Sequence, residues 1–187
     1  MARECEAKLR VDSLDAIRNR LTALGAANEG DCLEKNWVLD DSSGRLAKQG
    51  KLLRVRSLGD AGGILTVKTP LPGGEFKNRE EIETMVDSTE DLLRQLQTVG
   101  FHVAWIYEKK RQTWLWSDCV LALDECPEMG TFVEIEGTPD RIKSVAAELG
   151  LDPELHIEDN YLTLWKKHIE ETGQRPRHML FDPYEKV

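Results

Sequence analysis

No run of apolar residues in this chain approaches the length needed to cross a bilayer as a helix, so no membrane partner is expected for its 187 residues. Its opening, Met1-Ala2-Arg3-Glu4-Cys5-Glu6, lacks the apolar core of a secretion signal, and the expected location is the cytoplasm. The four cysteines (Cys5, Cys32, Cys119, Cys126) form no CxxC pair and have no histidine at ligand spacing, so reduced thiols are expected. The four histidines are scattered, and no His-based metal site or catalytic triad is visible. No Walker-type glycine loop is present, which excludes a P-loop NTPase. Positive charge is in deficit: 25 Lys and Arg against 34 Asp and Glu leave a net charge of −9. That excludes a nucleic acid held by bulk electrostatics, but not a small anion held by a local cationic cluster.

What the chain does have is charge at every second residue. In Glu4-Cys5-Glu6-Ala7-Lys8 three ionisable side chains share one face of a strand, because side chains in a strand alternate between faces. The pattern returns as Arg54 and Arg56, as Lys68 in phase with Ile64 and Thr66, and as Arg79, Glu81 and Glu83. It returns again as Lys109 and Arg111, as Asp124, and as Glu134 and Glu136. The opposite phase is apolar at Leu53 and Val55, Leu65 and Val67, and Val133 and Ile135. Eight strand-like runs are predicted, over residues 3–11, 36–40, 51–58, 63–69, 75–86, 102–116, 119–126 and 131–136. Short turns such as Asp60-Ala61-Gly62-Gly63 separate several of them.

Apolar stripes predict helices over 13–25, 88–100, 139–150 and 160–172; the first three end on Gly25, Gly100 and Gly150. Ser88, Thr138 and Pro139 supply start signals. The expected class is α+β, with long neighbouring strands in an antiparallel sheet or barrel. An amphipathic sheet with a solvated polar face explains any one run. Taken together, the charges segregate by strand, and the helices need the apolar face to pack on. The charged face then becomes the inside of a closed barrel, where each charge needs a partner. A polyphosphate with divalent cations supplies such partners, since arginine and lysine hold phosphate and carboxylates hold Mg²⁺ or Mn²⁺.

These residues resemble the CYTH superfamily, the triphosphate tunnel metalloenzymes, which include class IV adenylyl cyclases, thiamine triphosphatases and inorganic triphosphatases. Glu4-x-Glu6-x-Lys8 is similar to the ExExK signature, and Leu53-Arg54-Val55-Arg56 to the RxR strand. Leu65-Thr66-Val67-Lys68, Arg79-Glu80-Glu81-Ile82-Glu83, and Lys109 with Arg111 follow in the family's order. Leu123-Asp124-Glu125 and Phe132-Val133-Glu134-Ile135-Glu136-Gly137 resemble its last hairpin. The resemblance runs from about residue 2 to 165 and implies an eight-stranded antiparallel barrel around a charged tunnel, flanked by helices. It implies one domain over residues 1–172 and a tail over 173–187, docked or loose.

By the same resemblance, Lys8, Arg54, Arg56, Lys68, Arg79, Lys109 and Arg111 bind the triphosphate. Glu4, Glu6, Asp124, Glu134 and Glu136 bind Mg²⁺ or Mn²⁺, with Glu81 and Glu83 in support. Lys8 is the candidate catalytic residue, orienting or deprotonating water. The expected activity is metal-dependent hydrolysis of a small-molecule triphosphate. One alternative is cyclisation of ATP through its ribose 3′-hydroxyl; another is a non-catalytic polyphosphate-binding module. Residues 36–40, Asn-Trp-Val-Leu-Asp, lack the tyrosine that some hydrolases of the family pair with the motif lysine. Trp114 and Trp116 share a strand face and are candidates for a homodimer contact, while the other tryptophans are expected to pack against helices.

Overall fold

The computed structural model describes residues 2–173 and 178–182. The charged alternation of β1 (Ala2–Val11) puts Glu4, Glu6 and Lys8 on one face and Cys5, Ala7 and Leu9 on the other. Seven further strands repeat the arrangement: β2 (Ala27–Asp40), β3 (Leu52–Ser57), β4 (Gly63–Pro70), β5 (Lys77–Val86), β6 (His102–Trp116), β7 (Cys119–Cys126) and β8 (Gly130–Glu136). All neighbours are antiparallel, and the order β1-β5-β4-β3-β2-β6-β7-β8 closes because β1 pairs with both β5 and β8. Closure leaves an inner charged face and an outer apolar one.

The apolar exterior explains where the helices sit. Ile17 and Leu21 of α1 (Leu14–Leu24) join Ile142, Val145 and Ala146 of α4 (Pro139–Glu148) over Leu121, Leu123, Val133 and Ile135. Leu92, Leu93 and Leu96 of α3 (Thr89–Thr98) cover Leu39, Leu53 and Val55. Burying a fully enclosed side chain such as Leu21, Ile142 or Val145 contributes roughly 1.5–3 kcal/mol, and the half-buried leucines of α3 less. Gly25, Gly100 and Gly150 all take the left-handed conformation expected of them. Ser88 caps α3 by accepting from the Asp91 amide at 3.1 Å, whereas Ser13 and Thr138 make no side-chain cap. The hairpin between β3 and β4 tucks under α3 only because Gly62 has φ 89° and no Cβ, which would lie 2.2 Å from the Val86 carbonyl oxygen.

Three features depart from the sequence-based outline, and a fourth concerns residues 178–182, expected either docked or loose. β2 begins at Ala27 rather than residue 36; its first seven residues are exposed, so no apolar alternation marks them, and they are held by pairing with β6. A one-turn helix α2 (Arg45–Lys48) and a 3-10 turn (Pro153–Leu155) lie in segments without a stripe. Trp114 packs into the cluster beneath α1 and α4 and is 6% exposed, and the Trp116 indole donates to Glu148 at 2.6 Å. Trp114 therefore offers little surface to a second copy. Finally, residues 178–182 dock: Met179 bridges Tyr107 in parallel, the Glu108 amide donates to the Met179 carbonyl at 2.8 Å, and Met179 is fully buried. No helix among the described residues is long and apolar enough to cross a membrane.

Candidate functional site

The inner faces of the strands enclose a cavity of about 400 Å³. Lys8, Arg54, Arg56, Lys68, Arg79, Lys109 and Arg111, the seven cations expected at the site, all line it, as do Glu4, Glu6 and Glu134. Glu81 and Glu83 stand behind them, pairing with Lys68 and Arg54. Asp124 is fully buried in the wall, and Glu136 stands at the exposed end of β8. Ions buried this deeply cost free energy unless each is compensated. Ten cations line the cavity (those seven with Lys51, Lys77 and Lys166) beside four carboxylates (Glu4, Glu6, Asp40, Glu134), and Glu34, Glu81, Glu83 and Asp124 pair with lining cations from behind.

One side of the tunnel is built on Asp124. Its carboxylate accepts from Arg111 Nε at 2.7 Å and Nη2 at 2.6 Å, from Lys109 Nζ at 3.1 Å, and from the Tyr161 hydroxyl at 2.7 Å. Arg111 also contacts Glu134, whose other oxygen lies 3.3 Å from Lys8 Nζ. Arg111 is held well above its ordinary pKa: burial opposes the charge, but Asp124 and Glu134 outweigh it. Glu134 is held well below its own by Lys109, Arg111 and Lys8 against its burial. Next to them Glu34 pairs with Arg56 at 3.4 Å and Lys109 at 3.5 Å; burial opposes its charge, yet these cations lower its pKa to about 2.

The opposite side is built on carboxylates. Lys68 Nζ donates to both oxygens of Glu4, at 2.8 and 2.6 Å, and lies 3.2 Å from Glu81. Burial first, then the neighbouring Glu6, raise the Glu4 pKa to about 7 in spite of Lys68. Glu136 stands directly opposite Glu6 across the β1–β8 pair, and its side chain has no hydrogen bond or ion pair among the described residues. Its pKa is raised by burial and by Glu6 and Glu81. Opposed like charges of this kind destabilise a sheet. Among the described residues no three His, Cys, Asp or Glu side chains converge on one point as they stand. The donor set nonetheless fits a hard divalent cation, because it is all carboxylate and one opposed pair is short of positive charge.

Three residues at this site were not singled out in the sequence. Glu34 lies at the unpatterned end of β2, whereas Lys77, the first residue of β5, stands in phase with Arg79, Glu81 and Glu83 and was legible by the same alternation. Tyr161 opens α5 (Tyr161–Thr172), where an aromatic at helical spacing reads as packing; its ring also packs on Phe132. Its ring lies 3.9 Å beneath Lys8 Nζ and 5.2 Å from Lys109 Nζ. Burial, Asp124 and Glu134 push its pKa well up, so the hydroxyl keeps its proton and donates it. Residues 36–40 bring no tyrosine to Lys8; the aromatic beside it comes from α5 and offers its ring face, while its hydroxyl serves Asp124. Buried donors with no acceptor, Arg54 Nε and Asn36 Nδ2, remain in the wall, and Arg79 has no ion pair among the described residues. Such donors are ready for an anion.

A closed antiparallel tunnel with a densely charged inner wall, entered at one end by the first turn of a helix, defines a tunnel-barrel class of protein. The CYTH domain model matches residues 2–161, and the chain belongs to that family. Solved structures share the fold. A candidate adenylate cyclase from Vibrio parahaemolyticus superposes with TM-score 0.78 at 22% identity, covering 87% of this chain and 97% of its own. The PH1012 protein of Pyrococcus horikoshii OT3 superposes with TM-score 0.73 at 27% identity, covering 86% and 98%. HpAC1 of Hippeastrum, a candidate adenylyl cyclase described as having a dominant triphosphatase activity, gives TM-score 0.66 at 22% identity, covering 88% and 95%. No protein of curated function matches the sequence.

Proposed function

We propose that the chain is a divalent-metal-dependent enzyme that hydrolyses triphosphates, with Mg²⁺ or Mn²⁺ as the ion. The observation that carries this reading is the division of the tunnel wall into a cationic side with unsatisfied donors and an acidic side short of positive charge. Arg54, Arg56, Arg79, Lys109 and Arg111 would bind phosphoryl oxygens and stabilise the charge spread over them during transfer. Asp124 and Tyr161 hold Lys109 and Arg111 in place. Lys8, held by Glu134 and by the Asp159 carbonyl at 3.2 Å, would orient the attacking water as a donor. Glu4, Glu6 and Glu136 would hold the ion, whose chemistry is to polarise the phosphoryl oxygens and acidify bound water. Asp124, saturated by its four hydrogen bonds, is assigned to the cations instead.

A second reading, cyclisation of ATP, is favoured by the cavity's far end. There Val38, Leu39, Leu52, Trp105 and Leu162 add an apolar wall suited to the organic part of a nucleotide. Phosphate release and cyclic AMP formation are to be measured with Mg²⁺ and with Mn²⁺ on ATP, tripolyphosphate and thiamine triphosphate. Phosphate release without cyclic AMP is expected; silence across the panel rejects both readings. Glu6→Gln is expected to abolish turnover while tripolyphosphate binding largely survives. Equal loss of both would remove the division of labour between the two walls.

A further inference from the structure

Glu136, Glu6 and Lys77 form one row across three adjacent strands. Glu6 is directly opposite Glu136 on β8 and directly opposite Lys77 on β5. Lys77 Nζ donates to Glu6 Oε1 at 2.7 Å, and both side chains are largely buried in the cavity wall, 18% and 13% exposed. Glu136, on the other flank, has no ion pair among the described residues. The row therefore holds two carboxylates and one ammonium. Lys77 sits near Lys8 and Arg79, both of which disfavour its charge, so Glu6 is its counter-ion. A cation of higher charge entering between Glu6 and Glu136 would neutralise both carboxylates. Lys77 would then face Lys8 and Arg79 with no counter-ion, a state that an incoming anion relieves.

Resting on the metal-dependent reading above, we propose that Lys77 holds the ion site closed in the metal-free protein and turns to the triphosphate when a divalent cation displaces it from Glu6. Lys77 is in this sense an exchangeable internal cation. Ion binding creates an unpaired ammonium in the cavity, so the ion and the triphosphate strengthen each other's binding by the same factor, as linkage requires. The role is distinct from that of Arg79, which has no ion pair among the described residues and is free to bind an anion at any time.

The test is titration of the metal-free full chain with Mn²⁺, followed by the electron paramagnetic resonance of the free ion, with no phosphate compound present. Lys77→Met should bind Mn²⁺ about tenfold more tightly than the unaltered chain, and Lys77→Arg, whose fork grips Glu6 more firmly, more weakly. Arg79→Met, which removes a neighbouring charge without freeing Glu6, should change the affinity much less. A general loss of structure cannot tighten one variant and loosen the other. Equal effects of Lys77→Met and Arg79→Met, or no effect of Lys77→Met on a chain that binds Mn²⁺, would overturn the proposal and leave the metal-dependent reading standing. Failure of the unaltered chain to bind Mn²⁺ would overturn both. A second arm uses tripolyphosphate in excess chelator. Glu6→Gln should tighten its binding by releasing Lys77, and the gain should vanish in Glu6→Gln/Lys77→Met; a gain that persists in the double variant overturns the proposal.

Discussion

Glu34 shows how single residues in this wall are set by their neighbours. Burial opposes its charge, yet four cations (Lys109, Arg111, Arg56 and Arg54) hold its carboxyl ionised, with a pKa of about 2. Because that value is depressed in the folded state, its stabilisation is complete above the ordinary carboxylate range. It fades as the pH falls from about 4.5 toward 2, by roughly 3 kcal/mol. Urea unfolding of the metal-free chain between pH 2 and 7 should show Glu34→Gln to be less stable than the unaltered chain at pH 7, with a shallower fall in acid. Parallel curves would remove Glu34 from the account. Residue-level legibility followed the same physics. Glu4, Glu6, Lys8, Arg54, Arg56 and Lys68 were visible because charge alternated with apolar residues around them. Glu34 was hidden because Leu33 beside it faces solvent at 59% exposure, so its stretch carries no contrast between faces. Tyr161 was hidden because a helix places it in the tunnel end-on, and no strand pattern extends to it.

Elements were legible where one face is buried and obscure where both are wet. α1, α3 and α4 were predicted from stripes that do pack on the barrel's outer face, and β3, β4 and β8 from strict alternation. The first half of β2 owes its structure to β6, a tertiary partner that no local pattern reveals. The segment 178–182 is the same case carried further: its order comes from Met179 and from hydrogen bonds to Ile106 and Glu108. Met179→Asp places a charge in a fully enclosed site and should detach the segment. Hydrogen exchange should then speed up by at least about tenfold at the Glu108 amide while those of β1 and β8 stay protected. Uniform acceleration would mean that the segment is integral to the barrel.

At the scale of the whole molecule, the closed ring turns a net-acidic chain into a container whose lining carries more cations than carboxylates. A triphosphate entering there meets the cations directly, and divalent ions entering with it meet the carboxylates. Tripolyphosphate is therefore expected to bind even in chelator, more weakly at high salt, and more tightly with divalent ions present. Calorimetry with and without Mn²⁺ measures the difference; binding in chelator that salt leaves unchanged would contradict it. The docked segment has a separate consequence at this scale. β7 takes up pairing with β6 only from Lys110 onward, so the ring is closed over only part of the length of β6. The stretch from His102 to Lys109 would otherwise present a bare strand edge, the kind of surface that recruits a strand from another molecule. With residues 178–182 laid along it, the chain supplies its own guard against self-association. Removing that guard should make the protein's sedimentation depend on concentration well before its melting temperature falls.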